Sequence, residues 1–360
     1  MDVVFFPRQD YPVTVCSHRY GKKMTFTDQS DQLRLSKVVG GVNFFDWIMG
    51  IVEPKGIKVG FFARYDDLNS ANFGQVKTLL DSGKLWLDEY SWSPELATKI
   101  SGGQTITPEE FLQSYEDTLL PPFINVLGKK PVCLSYSYGN QTFKDGVCPT
   151  YLGARNSGGL SSYGGTDYGV GFGNPSNIPY SFSAYKSRSS TIRWYDRALP
   201  DSSFAAKIAK VGELIDAALL NGGWVSNFTH FDDILSDGNE EYAEDYYEMI
   251  EGKNQNNEIC FAGYGEAVAY LVFRQLVTKA VMYSPIHNPD TLVIRLDARN
   301  TLGVDTELLQ VPISVKFSTV GTPLAGQTIK SNRNLISLGS GEYIVEIPYA
   351  DFPVAKITKA

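Results

Sequence analysis

Two regimes of patterning divide this chain. Up to about residue 288, short apolar runs rich in β-formers alternate with segments of helical spacing; beyond it the helical signals stop. Alternation of that kind builds a parallel α/β core. Residues 57–63 (IKVGFFA) follow Gly56 and read as a buried strand, and residues 85–87 and 132–136 read as two more. Between them, residues 75–81 read as a helix stopped by Gly83. Thr107, Pro108 and Glu110 form a capping-box start, for a helix expected to run toward Leu120 and stop before Pro121 and Pro122. The apolar stripe Phe204, Ile208, Val211, Ile215 and Leu219 predicts a helix over 204–220, capped by Asp201 or Ser202. A strand begins at Trp224, an acidic helix covers 239–251, and residues 265–278 read as the last core helix. Residues 156–183 are Gly-, Ser-, Asn- and Tyr-rich and too long for a turn, so they read as an elaborated surface loop. The remaining strands, at 291–296, 313–317 and 343–347, predict a small sandwich-like β domain. The expected organisation is a barrel domain over 1–287 and an all-β domain over 288–360.

Composition narrows the function. The 360 residues are 43% hydrophobic and 20% charged, enough for one large core and a smaller second one. A net charge of -8 argues against nucleic acid or an anionic membrane as a general partner. No window approaches the roughly 18 apolar residues of a transmembrane helix. The segment Met1 to Pro7 has neither the basic region nor the apolar stretch of a secretory signal, and the compartment stays open. The four cysteines, Cys16, Cys133, Cys148 and Cys260, lack a C-x-x-C pair and read as buried apolar residues, with a Cys133–Cys148 bridge conceivable in an oxidising compartment. The histidines are only His18, His230 and His287, and no nucleophile elbow, Walker loop or H-E-x-x-H motif occurs.

Four segments, in order, resemble the polysaccharide deacetylases, the NodB-homology or carbohydrate esterase family 4 proteins. Residues 24–28 (MTFTD) stand where that family has T-F-D-D-G, and residues 56–62 (GIKVGFF) are similar to its G-I-K-A-T-F-F strand. Residues 79–83 (LLDSG) match the helix end before its H-S-x-x-H segment, and residues 135–139 (SYSYG) match its strand ending in P-Y-G. Residues 151–155 and 224–230 are similar to later positions. The resemblance spans roughly 13–285 and implies a distorted (β/α) barrel that removes acetyl groups from sugars. In that chemistry an Asp acts as base, an Asp and two His hold a divalent metal such as zinc, and a late His protonates the leaving group.

The chain departs from the pattern where the metal would sit. Thr27 and Asp28 stand where the family has its two aspartates, so at best one survives, and Glu89 and Ser93 fall at the two histidine positions. Glu89 could hold a hard cation, but serine is a poor ligand, so a family-type zinc site is not expected. Asp31 would join only if the loop bent back. The resemblance leaves Asp28 and His230 as catalytic candidates and Asp28 with Glu89 as a carboxylate metal pair. The competing reading of His230 is a hydrogen-bonded structural histidine at a strand end, and that of the carboxylates is solvated groups at the barrel mouth. Trp86, Tyr90, Trp92, Tyr136, Tyr138 and Trp224 are the aromatic candidates for stacking on a polysaccharide or other glycan. Three readings remain open: a divergent deacetylase, an inactive barrel kept for sugar binding, and a structural or docking subunit of a surface or virion assembly, with the C-terminal β domain meeting a protein partner.

Overall fold

The computed structural model describes residues 9–69, 71, 73–136, 144–147, 149–155, 194–195, 204–288, 290–350 and 353–360. Tyr138, Cys148, the 156–183 segment and the Asp201 and Ser202 caps lie outside these residues. The chain forms two compact units, one of Lys23–Ala269 and one of Met1–Lys22 with Tyr270–Ala360. The division between the units therefore falls within the helix Tyr264–Leu276 rather than at 287/288, and residues 9–22 lie with the second unit.

The larger unit is built on a parallel sheet. Its strands are β1 (Met24–Asp31), β2 (Val59–Ala63), β3 (Leu85–Tyr90), β4 (Cys133–Ser135), β5 (Gly153–Arg155), β6 (Gly223–Phe228) and β7 (Ile259–Ala262). They run in the order β6-β1-β2-β3-β4-β5, and β7 also pairs with β1. β6 follows one edge of β1 from Met24 to Gln29. The other edge is shared, with β7 on Met24 to Thr27 and β2 on Gln29 to Asp31. The strands are buried on both faces, as crossover helices require. On one face Met24, Phe26, Val59, Phe61, Leu85, Leu87 and Val225 pack against the helices Phe44–Val52, Phe73–Asp81, Phe204–Asn221 and Glu240–Lys253. The other face lines a hollow filled by side chains such as Phe62, Trp224 and Tyr264. Asp31 on β1 and Arg155 on β5 are ion-paired although four strand intervals separate them. Flat, those intervals would span about 19 Å. Two side chains end to end cannot bridge that, so the sheet curls. No ladder joins β5 to β6 among the described residues, which makes it a half-barrel.

The capping box at Thr107 and Glu110 is present, but the helix does not stop before the prolines. Pro108–Ser114 passes through one π turn, Tyr115–Leu119, into Leu120–Leu127. Pro121 and Pro122 bring no N–H to the helix, and the widened turn sits where those bonds are lost. The smaller unit holds two antiparallel sheets, of five and four strands. Gln9–Tyr11 pairs with Val277–Ser284, and Val13–Val15 with Ile313–Ser318, which is why the N-terminal segment belongs here.

Candidate functional site

In open parallel α/β sheets, ligands sit beyond the carboxyl ends of the strands. Strand parity decides which side chains reach that place. Successive residues of β1 point to opposite faces, so Asp28 shares the helix-packed face with Met24 and Phe26, and Thr27, Gln29 and Asp31 face the hollow. Gln29 Nε2 donates to Thr27 Oγ1 (2.9 Å) and to Ser226 Oγ of β6 (3.0 Å). Asp31, the last residue of β1, is reached by the strand itself without any bending back of the loop.

Arg155 ends β5 and lies fully buried at this mouth. Its Nη2 donates to Asp31 Oδ1 in a short ion pair and to Ser135 Oγ at 2.7 Å. The guanidinium lies 3.7 Å over the ring of Phe228 and 5.1 Å from that of Phe62. Its Nε and Nη1 are buried with no acceptor. Such donors cost about 1–3 kcal/mol each when unfilled, more on a charged group. His230, two residues past the end of β6, is half-buried and sets its ring edge-on to Phe228 at 5.2 Å. At the rim, Arg64 grips Asp66 through two bonds (2.8 and 2.5 Å) and covers one face of Trp92 at 3.5 Å. The Tyr65 ring runs parallel to Trp92, centroids 6.1 Å apart. Asp67 Oδ2 accepts from Leu33 N (3.2 Å) and Arg64 N (3.1 Å), tying the loops after β1 and β2 together; burial raises its pKa.

The carboxylates offered for a metal sit elsewhere. Asp28 Oδ2 accepts from Tyr247 OH at 2.8 Å in the helix layer, and burial pushes its pKa up to about 7. Glu89 shares its face with Leu85 and Leu87 and accepts from Tyr151 OH at 2.7 Å; burial raises it to about 8. Each is fully buried against a tyrosine, so neither is a solvated group at the mouth. Ser93 caps the helix Pro94–Ser101. Among the described residues no three His, Cys, Asp or Glu side chains gather as a metal site. The residues present do not fit the zinc that the resemblance implies.

The aromatic set also separates. Trp224 is fully buried, its Nε1 donating to Thr27 Oγ1 (2.9 Å). Tyr136 is buried with Leu96, Phe111 and Tyr151, and Tyr90 is buried too. Trp86 is half-buried at the amino end of β3, with Lys129 Nζ 4.6 Å above its ring. Among the described candidates, only Trp92 combines partial exposure with a place past the carboxyl end of a strand. His18 is buried in the smaller unit, and burial lowers its pKa to about 4. Asp232 is paired with Arg34 and Lys37. Sequence reading missed Arg155 and undervalued Asp31. Counting parity along the eight residues of β1 would have favoured Asp31 over Asp28.

No family model matches the chain, and no curated protein matches it. Among solved structures it is similar to a family 4 carbohydrate esterase from Streptomyces lividans in complex with acetate (11% identity, 66% of this chain, 92% of that one, TM-score 0.39). It is similar to a protein from Mycobacterium smegmatis assigned as a polysaccharide deacetylase (11%, 74% and 96%, TM-score 0.44). A third is the Xyl-CE4 domain of a multidomain xylanase from the hindgut metagenome of Trinervitermes trinervoides (13%, 68% and 89%, TM-score 0.36).

Proposed function

We propose that this chain is a carbohydrate-binding protein on a polysaccharide deacetylase-like half-barrel, and that it does not perform metal-assisted deacetylation through Asp28 and Glu89. The observation that carries the reading is the Arg155–Asp31 pair at the carboxyl end of the sheet. The pair is neutral as a whole, yet the guanidinium keeps two unfilled donors beside aromatic rings. Sugar hydroxyls, which are neutral and both donate and accept, complete such a set. Trp92 and Tyr65 at the rim supply flat apolar surface for a second ring. His230 stands at the same mouth as the one candidate retained from the sequence that could move a proton there.

The test is retention on immobilised glycans. Arg155→Lys keeps the charge but loses the planar fork, and is expected to weaken binding at least tenfold while the fold survives. Trp92→Ala is expected to weaken it several-fold, and Trp224→Phe to leave it unchanged. Binding indifferent to Arg155→Lys and Trp92→Ala would remove the site. Absence of glycan binding together with stable self-assembly would favour the structural-subunit reading.

A further inference from the structure

The loop that leaves β1 carries a second polar cluster beside the mouth. Arg34 Nη1 and Lys37 Nζ both donate to one atom, Asp232 Oδ2, each at 2.6 Å. The two nitrogens therefore lie no farther apart than twice that distance. Two cations on one carboxylate leave a net positive charge, and it faces outward. The Asp232 side chain is 4% exposed, against 39% for Arg34 and 29% for Lys37. Arg34 Nε is further fixed on Gln32 Oε1 at 2.6 Å. The loop holds Gln32 and Arg34 at φ of 62° and 41°, a conformation non-glycine residues seldom adopt. Arg155 with Asp31 and Arg64 with Asp66 are balanced pairs at this end, and the Asp67 carboxylate is held by the backbone N–H groups of Leu33 and Arg64. The two cations on Asp232 stand in a chain whose net charge is -8.

The position relative to the mouth follows from the chain. Arg34 is three residues past Asp31, a reach of at most about 11 Å. Asp232 is four residues past Phe228, the ring under Arg155. Both strands that form the mouth thus lead directly into the cluster. A ligand ring held at Arg155 would place a neighbouring ring near Arg34 and Lys37.

We infer that the glycan of this site is acidic, and that Arg34 and Lys37 receive an anionic oxygen group, carboxylate or sulfate, on the ring next to the one at Arg155. The inference rests on the reading of the mouth as a glycan site. Lys37 offers further ammonium hydrogens and Arg34 the unused side of its guanidinium, while Asp232 holds both in place.

Calorimetric titration of the full chain with oligosaccharides sharing one backbone tests this: cellotetraose, β-1,4-linked tetraglucuronate and sulfated cellotetraose. At low salt an acidic tetramer is expected to bind at least tenfold more tightly than cellotetraose, with the advantage shrinking as salt rises. The tighter of the two acidic tetramers identifies the group. The double variant Arg34→Gln, Lys37→Gln should abolish the advantage and leave cellotetraose binding unchanged. Equal binding of neutral and acidic tetramers, or an advantage that survives the double variant, overturns the acidic assignment and leaves the glycan site standing. Failure of all three to bind overturns both.

Discussion

A carboxylic acid taken out of water keeps its proton to higher pH, and Asp28, Asp88 and Glu89 show this. Asp28 and Asp88 are raised to about 7 and Glu89 to about 8, each chiefly by burial. The sign follows from proton counting. A folded-state pKa above the unfolded one means the folded chain binds more protons, so stability is full below pH 4 or so for these groups and falls as pH rises through 7 to 8. Melting temperature should therefore decline from pH 6 to pH 9, by an amount on the order of a few kcal/mol in stability. Asp28→Asn and Glu89→Gln should flatten the decline; an unchanged slope in both would contradict the buried, protonated assignment. Asp28 was legible in the sequence as an unusual residue at a strand end, but its role was not. Whether a residue faces the hollow or the helices turns on a parity of one, and the strand runs three residues beyond the segment that carried the resemblance. Arg155 was invisible as a partner for Asp31 because 124 residues separate them.

Among the elements, β3 is joined closely to the helix Tyr264–Leu276. Asp88 Oδ1 accepts from Cys133 N on β4 (3.0 Å) and Oδ2 from Gly265 N at the helix start (2.7 Å). Glu266 reaches back to Gly263 N (3.2 Å) and also binds Lys58 Nζ (2.8 Å). A Cβ on Gly263 would fall 2.2 Å from Trp86 Cβ, and one on Gly265 2.1 Å from Asp88 Oδ1. Gly263→Ala and Gly265→Ala should each cost several kcal/mol in denaturant unfolding, because the neighbours are backbone-anchored and packed. A cost under 1 kcal/mol for both would mean the join is looser than described. Trp224→Phe removes the indole donor to Thr27 Oγ1, which keeps its bond from Gln29 Nε2, and should cost about 0.5–1.5 kcal/mol. Most elements were readable from apolar runs and capping signals. The π turn was not, since a helix that crosses two prolines contradicts local propensity and needs tertiary packing to hold it.

At the level of the molecule, the sequence offers no sign of where the N-terminal segment pairs. Residues 9–15 form two short strands whose partners lie some 270 and 300 residues away, and no local pattern announces such pairing. Arg19 Nε bonds Glu346 Oε1 (2.8 Å), and Tyr270 OH and Arg274 Nε both donate to the Cys16 carbonyl (3.0 and 3.1 Å). Deleting residues 1–22 removes these ties and an edge strand from each sheet of the smaller unit. Limited proteolysis should then cut within residues 277–360 at protease levels the full chain resists; equal resistance would contradict the assignment of this segment to that unit.

The half-barrel itself is read here as holding a glycan at Arg155 and Asp31 without a metal at Asp28 and Glu89. Glycan retention and acetate release, measured together in EDTA and again with added zinc, bear on both halves of that reading. The expected result is retention unaffected by EDTA or zinc, no acetate released, and at least tenfold weaker retention for Arg155→Lys. Acetate release that requires zinc and vanishes in Asp28→Asn and Glu89→Gln would contradict it.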